Sequence, residues 1–149
     1  MSLAALSVSA MSDRAGARDL ARVLLDEPDL RRRWAHTVAV AGAGQRVADA
    51  AGLAGRDAEL LVAAAWLHDI GYSSLLRASG FHPLGGARFL RLLGAPASLA
   101  TLVANHTAAH IEADVRGVAQ ELAEFPPEQG FVADVLAYAD SRPVPTAGR

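Results

Sequence analysis

The sequence predicts an all-α protein folded as one compact, single-domain helical bundle. Three observations carry that expectation. Apolar residues recur every three to four positions through nearly the whole chain, the spacing that lines one face of a helix. No stretch alternates with period two, as a half-buried strand would. Proline and glycine fall where helices begin and end rather than inside the periodic runs. The chain has 149 residues, 52% of them hydrophobic and 20% charged, enough to bury a core within one domain. Nothing repeats at a period of about 20–50 residues, which excludes a solenoid.

A first helix is expected over 13–26, ending near Pro28, and a second over 31–51, stopping at Gly52. A third spans 57–69, with Asp57 as its N-cap and Gly71 just past its end, suited to a left-handed C-terminal cap. After a loop, a fourth begins around Pro83 and stops at Gly94, since proline at the first helical position sacrifices no hydrogen bond. A fifth is expected over 96–110, a sixth over 113–123 and a seventh over 129–140, the last after Pro126-Pro127. The resulting organisation is an N-terminal segment and first helix over 1–29, a helical domain over 30–141 and a flexible tail over 142–149.

The opening stretch, MSLAALSVSAMSDR, lacks a positively charged start, and its apolar run is too short and serine-broken for a signal peptide. Met11 is an alternative start. No segment approaches the roughly 20 apolar residues that span a bilayer, so a cytoplasmic protein without membrane contact is expected.

Composition narrows the chemistry. The formal net charge is −2, without the basic surplus of a nucleic-acid-binding module. All the positive charge is arginine, because the chain has no lysine. There is no cysteine, which excludes disulfides, thiolate nucleophiles and cysteine-ligated zinc or iron–sulfur sites. Any metal must be held by histidine and carboxylate.

Five histidines are available: His36, His68, His82, His106 and His110. His36 shares a helical stripe with Val40, Ala43 and Val47; His68 shares one with Leu61, Ala64 and Ala65; His106 shares one with Leu99, Leu102 and Val103. Asp140 follows Ala133 and Leu136 on the last helix. Each polar group therefore sits on the core-facing stripe of a different helix. A lone histidine on such a stripe is ordinarily a satisfied core residue. An ionised carboxylate in apolar surroundings is harder to accommodate, because it requires a partner. Asp69 and Asp140 both arrive at inner faces beside histidines, and a divalent cation would neutralise them while accepting neutral imidazole. The stretch AWLHDIGY places His68 and Asp69 at the end of the most apolar helix. Successive helical residues point about 100° apart, so both reach one ion only where the backbone turns away.

The order His36, then His68-Asp69, then Asp140 resembles the H…HD…D signature of the HD-domain metal-dependent phosphohydrolase superfamily, and LHDIGY resembles its central block. The likeness covers about residues 30–141 and extends to small stand-alone bacterial members of the superfamily. It implies a compact helical bundle with His36, His68, Asp69 and Asp140 as metal ligands. In the subset with an H…HD…H…H…D pattern, His82 and His106 resemble ligands of a second metal bridged by the HD aspartate, or contacts to phosphate. His82 could equally serve an N-cap-like role at a helix mouth. Where relatives often carry paired histidines this chain has Asn105-His106-Thr107, and His110, without a counterpart, reads as a solvated helix-end residue. Tyr72 stands where many relatives have lysine, so contacts to an anionic substrate fall to arginine: Arg33, Arg77 or Arg88. The run Arg31-Arg32-Arg33 could equally be a solvated helix start.

The implied chemistry is hydrolysis of a phosphate ester of a small nucleotide-like molecule by a metal-bound hydroxide, with Asp69 as ligand and proton acceptor. The cofactor would be one or two divalent ions from among Mn, Mg, Zn, Fe, Co and Ni. Two alternatives stay open: a non-catalytic nucleotide-sensing regulatory domain, and a mixed-valence di-iron oxygenase of the same fold. Turnover of signalling dinucleotides of the HD-GYP type has little support, since Ser73 follows Gly71-Tyr72.

Overall fold

The structure is a computed structural model and describes residues 13–142. The expectations for the N-terminal stretch and, Arg142 apart, for the C-terminal tail lie outside those residues. The described residues form α-helices and short 3-10 turns with no strand: α1 Arg14–Leu24, α2 Arg31–Ala50, α3 Gly55–Leu67, α4 His82–Leu92, α5 Ala97–Ala104, α6 Ala109–Arg116, α7 Ala119–Leu122 and α8 Phe131–Ser141. The all-α expectation holds. None of these helices is long and apolar enough to cross a membrane.

Helix α3 is the central element. It packs against α1, α2, α5 and α8, and Leu61 through Ala65 and Leu67 are all buried. That explains its nearly unbroken apolar sequence, because a helix covered on every side has no polar face to show. Small residues let its neighbours come close: a methyl group on Gly44 of α2 would already touch the Ala65 methyl at 3.7 Å. Helix α1 joins the same core through Ala17, Leu20, Ala21 and Leu24. Asp13 caps α1 by accepting a hydrogen bond from the Gly16 amide at 2.7 Å, and Arg14 pairs with Glu59 of α3 at 2.6 Å.

Three expectations about the elements need correction. Helix α3 begins at Gly55, not at 57; Ala54 is the residue before it, and Asp57 lies in the first turn, where its charge suits the positive end of the helix dipole. The fifth and sixth predicted helices do not run through. After Ala104 the chain turns sharply, with Thr107 and Ala108 in the left-handed region at φ 35° and 57°. The Asn105 side chain holds this turn by donating to the carbonyls of Thr101 at 2.9 Å and Phe125 at 2.7 Å. Gly117, at φ 75°, then separates α6 from α7.

Gly71 is not a left-handed cap. It lies within a 3-10 turn, Ile70–Tyr72, and a β-carbon built on it would stand 1.8 Å from the His82 carbonyl oxygen. Only glycine lets the start of α4 approach the end of α3 so closely. The predicted loop over 70–82 is otherwise filled by a second 3-10 turn, Ser74–Ser79. Gly85 repeats the device, since a β-carbon there would stand 2.4 Å from the Leu76 carbonyl oxygen.

Candidate metal centre

The packed helices bring six side chains from five places together. His36 comes from α2, His68 and Asp69 from the end of α3, His82 from the first residue of α4, His106 from the turn after α5, and Asp140 from α8. His68 is fully buried, Asp69 is 2% exposed and His106 is 7% exposed. A histidine–aspartate cluster at that depth costs several kcal/mol unless its members satisfy one another or an ion.

Asp69 is the hub. Its Oδ2 lies 3.1 Å from the Arg33 guanidinium, 3.2 Å from His68 Nε2 and 3.9 Å from His36 Nε2. Its Oδ1 faces the other way, 3.3 Å from His82 Nε2 and 3.6 Å from His106 Nε2. Asp140 completes the first side, with Oδ1 2.6 Å from His36 Nε2 and 3.2 Å from His68 Nε2. The donor atoms fall into two groups, His36–His68–Asp69–Asp140 and Asp69–His82–His106, each with all its atoms within 4.8 Å of one another. One carboxylate serves both.

Backbone carbonyls orient two of the histidines. His68 donates Nδ1–H to the Ala65 carbonyl at 2.7 Å, and His106 donates Nδ1–H to that of Val103 at 2.6 Å. Each ring therefore presents Nε2 to the centre, the arrangement that histidine ligands ordinarily have. His68 Nε2 is buried and makes no hydrogen bond of acceptable geometry, although two carboxylate oxygens lie at 3.2 Å. An orphaned, buried imidazole nitrogen among carboxylates fits a cation.

The electrostatics agree. Burial alone would lower the pKa of His68, but the carboxylates of Asp69 and Asp140 beside its Nε2 push it up to about 10. Burial works against the charge on Asp69, yet His68 and the hydrogen bonds from His106, His68 and His82 hold it well below the usual carboxylate range. Asp140 is likewise held below its ordinary value: burial opposes the charge, and hydrogen bonds from His36 and His68 outweigh it. His82 is pulled down by burial, which favours the neutral imidazole a metal needs. The two carboxylates thus favour positive charge at His68 Nε2, where a cation would compete with the proton.

Of the arginines expected to contact substrate, Arg33 reaches the cluster, on Asp69. Arg77 donates instead to the Tyr72 carbonyl at 2.9 Å, and Arg88 pairs with Glu124 at 2.8 Å beside Arg91. His82 is not a cap; Phe81 precedes the helix and makes no side-chain cap bond. His110 is exposed near the start of α6, and it lines a cavity of about 460 Å³ together with His106, Thr107, Glu128 and Asp134. Because His106 and Thr107 belong to its wall, this cavity adjoins the metal centre.

Thr107 and Tyr72 take part in the cluster without a sequence pattern that marks them. Thr107 donates its hydroxyl to Asp140 Oδ2 at 2.5 Å, occupying the oxygen that His36 leaves free. Its only sequence signal was a hydroxyl next to a candidate ligand. Tyr72 stacks on His82, with ring centroids 4.0 Å apart, and its ring also carries the Arg33 guanidinium at 4.1 Å. A tyrosine's sequence position says nothing about which ring it will meet.

With the geometry in place, comparison with known proteins bears on it. The model of the family described as HD domain matches residues 33–141, which is more than half of the chain and contains all six clustered side chains. No curated protein and no solved structure matches the chain.

Proposed function

We propose that this chain, which belongs to the HD-domain family, is a metal-dependent phosphohydrolase that cleaves a phosphate ester of a small, nucleotide-like molecule. The single observation that carries this reading is the sharing of Asp69 between two all-nitrogen-and-oxygen donor groups. Such a donor set suits divalent ions such as Mn, Mg, Zn, Fe, Co or Ni, and excludes none of these by softness. His36, His68, Asp69 and Asp140 would hold one ion, and Asp69, His82 and His106 a second. A divalent ion there supplies Lewis acidity towards a phosphoryl oxygen and lowers the pKa of water.

The remaining work belongs to the chain. Asp69, whose two oxygens face the donors of both groups, would orient the attacking water and receive its proton. Arg33, about one-third exposed at its side chain, moves from Asp69 to the non-bridging oxygens and offsets the charge that grows there. The neighbouring cavity, which His106 and Thr107 help to line, would take the leaving group.

Protein loaded with Mn²⁺ should hydrolyse an activated phosphate ester, and His68→Ala combined with Asp69→Ala should abolish turnover. Equal activity in the double variant would overturn the proposal. The shared carboxylate supports a second reading, a di-iron oxygenase built on the same six ligands; two bound irons with oxygen consumption, and no ester hydrolysis, would establish that instead.

A further inference from the structure

The four histidines of the centre are not held alike. His68 and His106 are each locked by a backbone carbonyl on Nδ1, at 2.7 Å and 2.6 Å. His36 is held through Nε2 by Asp140 at 2.6 Å. His82 has neither a backbone anchor on Nδ1 nor so short a carboxylate bond. Among the described residues its polar contacts are confined to Nε2, 3.3 Å from His106 Nε2 and 3.3 Å from Asp69 Oδ1, and it opens α4 without a cap bond. What lies against its ring is Tyr72, tilted by only 18° and 4.0 Å away between centroids. Near-parallel stacking restricts rotation of an imidazole about its outer bond, the freedom a hydrogen bond on Nδ1 removes elsewhere.

Tyr72 is itself fixed from both sides in sequence. It follows Gly71, whose missing side chain seats the 3-10 turn directly on the His82 backbone. Its own carbonyl accepts from Arg77 at 2.9 Å. Its ring also receives the Arg33 guanidinium at 4.1 Å while Arg33 reaches Asp69 at 3.1 Å. One aromatic ring thus touches a donor of the Asp69–His82–His106 group and the arginine that neighbours the other group.

We propose that Tyr72 is a positioning residue for His82: its ring aims His82 Nε2 at Asp69 and His106, and thereby controls occupancy of the second ion without controlling the first. The inference rests on the reading of Asp69, His82 and His106 as a second ion group. It concerns the aromatic face and not the hydroxyl, so phenylalanine should replace tyrosine and leucine should not.

The test compares Tyr72→Phe and Tyr72→Leu by two measurements. Calorimetric titration of metal-free protein with Mn²⁺ should show two binding events in the parent chain and in Tyr72→Phe. In Tyr72→Leu the weaker event should fall in affinity by about tenfold or more, the size expected for loss of a residue that orients a ligand, while the tighter event is unchanged. Nuclear Overhauser contacts between the His82 and His106 rings, whose centroids are 5.2 Å apart, should persist in Tyr72→Phe and vanish in Tyr72→Leu. Unchanged affinities and ring contacts in Tyr72→Leu overturn the proposal, and so does an equal loss of both ions. A parent chain that binds a single ion overturns the two-ion reading instead; the ring contacts then decide Tyr72 by themselves, their survival in Tyr72→Leu counting against it and their selective loss counting for it.

Discussion

His68 gives its Nδ1 hydrogen to the carbonyl oxygen of Ala65, one turn earlier in the same helix, at 2.7 Å. That bond settles which nitrogen faces Asp69 and Asp140, and it is made by residues whose sequence positions alone bring them together. That nitrogen is the one His68 contributes to the His36–His68–Asp69–Asp140 group.

The first prediction concerns pH. His68 is pushed up to about 10 from 6.5 in the folded protein, chiefly against burial and by Asp69. A raised value means that folded protein holds the proton more tightly than unfolded chain, so this contribution to stability is complete below about 6.5 and lost as pH rises towards 10. Metal binding requires the proton to leave. The melting temperature of metal-free protein should therefore fall by several degrees across that window, while the rise caused by saturating Mn²⁺ grows with pH. Parallel melting curves with and without Mn²⁺ would refute the linkage.

At the acid end the direction reverses. Asp69 and Asp140 are held below 3.8, so their contribution is present above that value and disappears as pH falls through their folded values. Asp140→Asn should flatten the acid limb of the stability profile and release the ion held with His36. Retention of full metal content by purified Asp140→Asn would argue against its role as a ligand.

Gly71 should tolerate nothing larger. A methyl group would overlap the His82 carbonyl at 1.8 Å, and because the obstacle is backbone, α4 itself must shift. Gly71→Ala should cost about 1–3 kcal/mol or more and weaken metal binding through displaced His82. Thermal melting together with elemental analysis would show both; wild-type values would mean that the turn relaxes freely.

Thr107 offers a cleaner contrast. Its hydroxyl bonds Asp140 Oδ2 at 2.5 Å from a backbone at φ 35°, a region rarely occupied by β-branched residues. Thr107→Val keeps the shape and removes the hydroxyl; Thr107→Ser keeps the hydroxyl. Valine should weaken the ion at Asp140 by roughly tenfold and serine should not, as read by competition with a chromogenic chelator.

Arg33 and Arg88 should separate by kinetics. Arg33→Ala should lower kcat/KM for a phosphate ester tenfold or more, as expected where a charged hydrogen bond of roughly 1.5–3 kcal/mol is lost. Arg88, paired with Glu124, should leave kcat/KM within about twofold when replaced by alanine. Equal losses in both would remove Arg33 from the substrate site.

Much of this was open to reading in the chain. Periodicity located α1, α2, α4 and α8 closely, because an apolar stripe must face the core whatever covers it. The candidate ligands His36, His68, His106 and Asp140 were visible as polar groups on such stripes, and Asp69 as the neighbour of His68 at a helix end. The long predicted fifth helix was not correctable in this way: Asn105, Thr107 and Ala108 break it by contacts to Phe125 and Asp140, residues distant in sequence.

The sequence by itself determined an all-helical chain and a supply of histidine and carboxylate with no cysteine or lysine to compete. It also set the Ala65 carbonyl one turn before His68, within reach of that ring. Only the tertiary structure decided that Asp69 divides its two oxygens between separate groups, that Arg33 and not Arg77 or Arg88 stands beside it, and that Tyr72 lies on His82. The physical reason is range. A helix stripe and an intra-turn hydrogen bond are set by neighbours within a few residues, whereas the aim of a carboxylate or a ring is set by whatever the packed backbone carries against it. For His82 that depends on Gly71, where a single missing methyl group lets the start of α4 seat on the turn that follows α3.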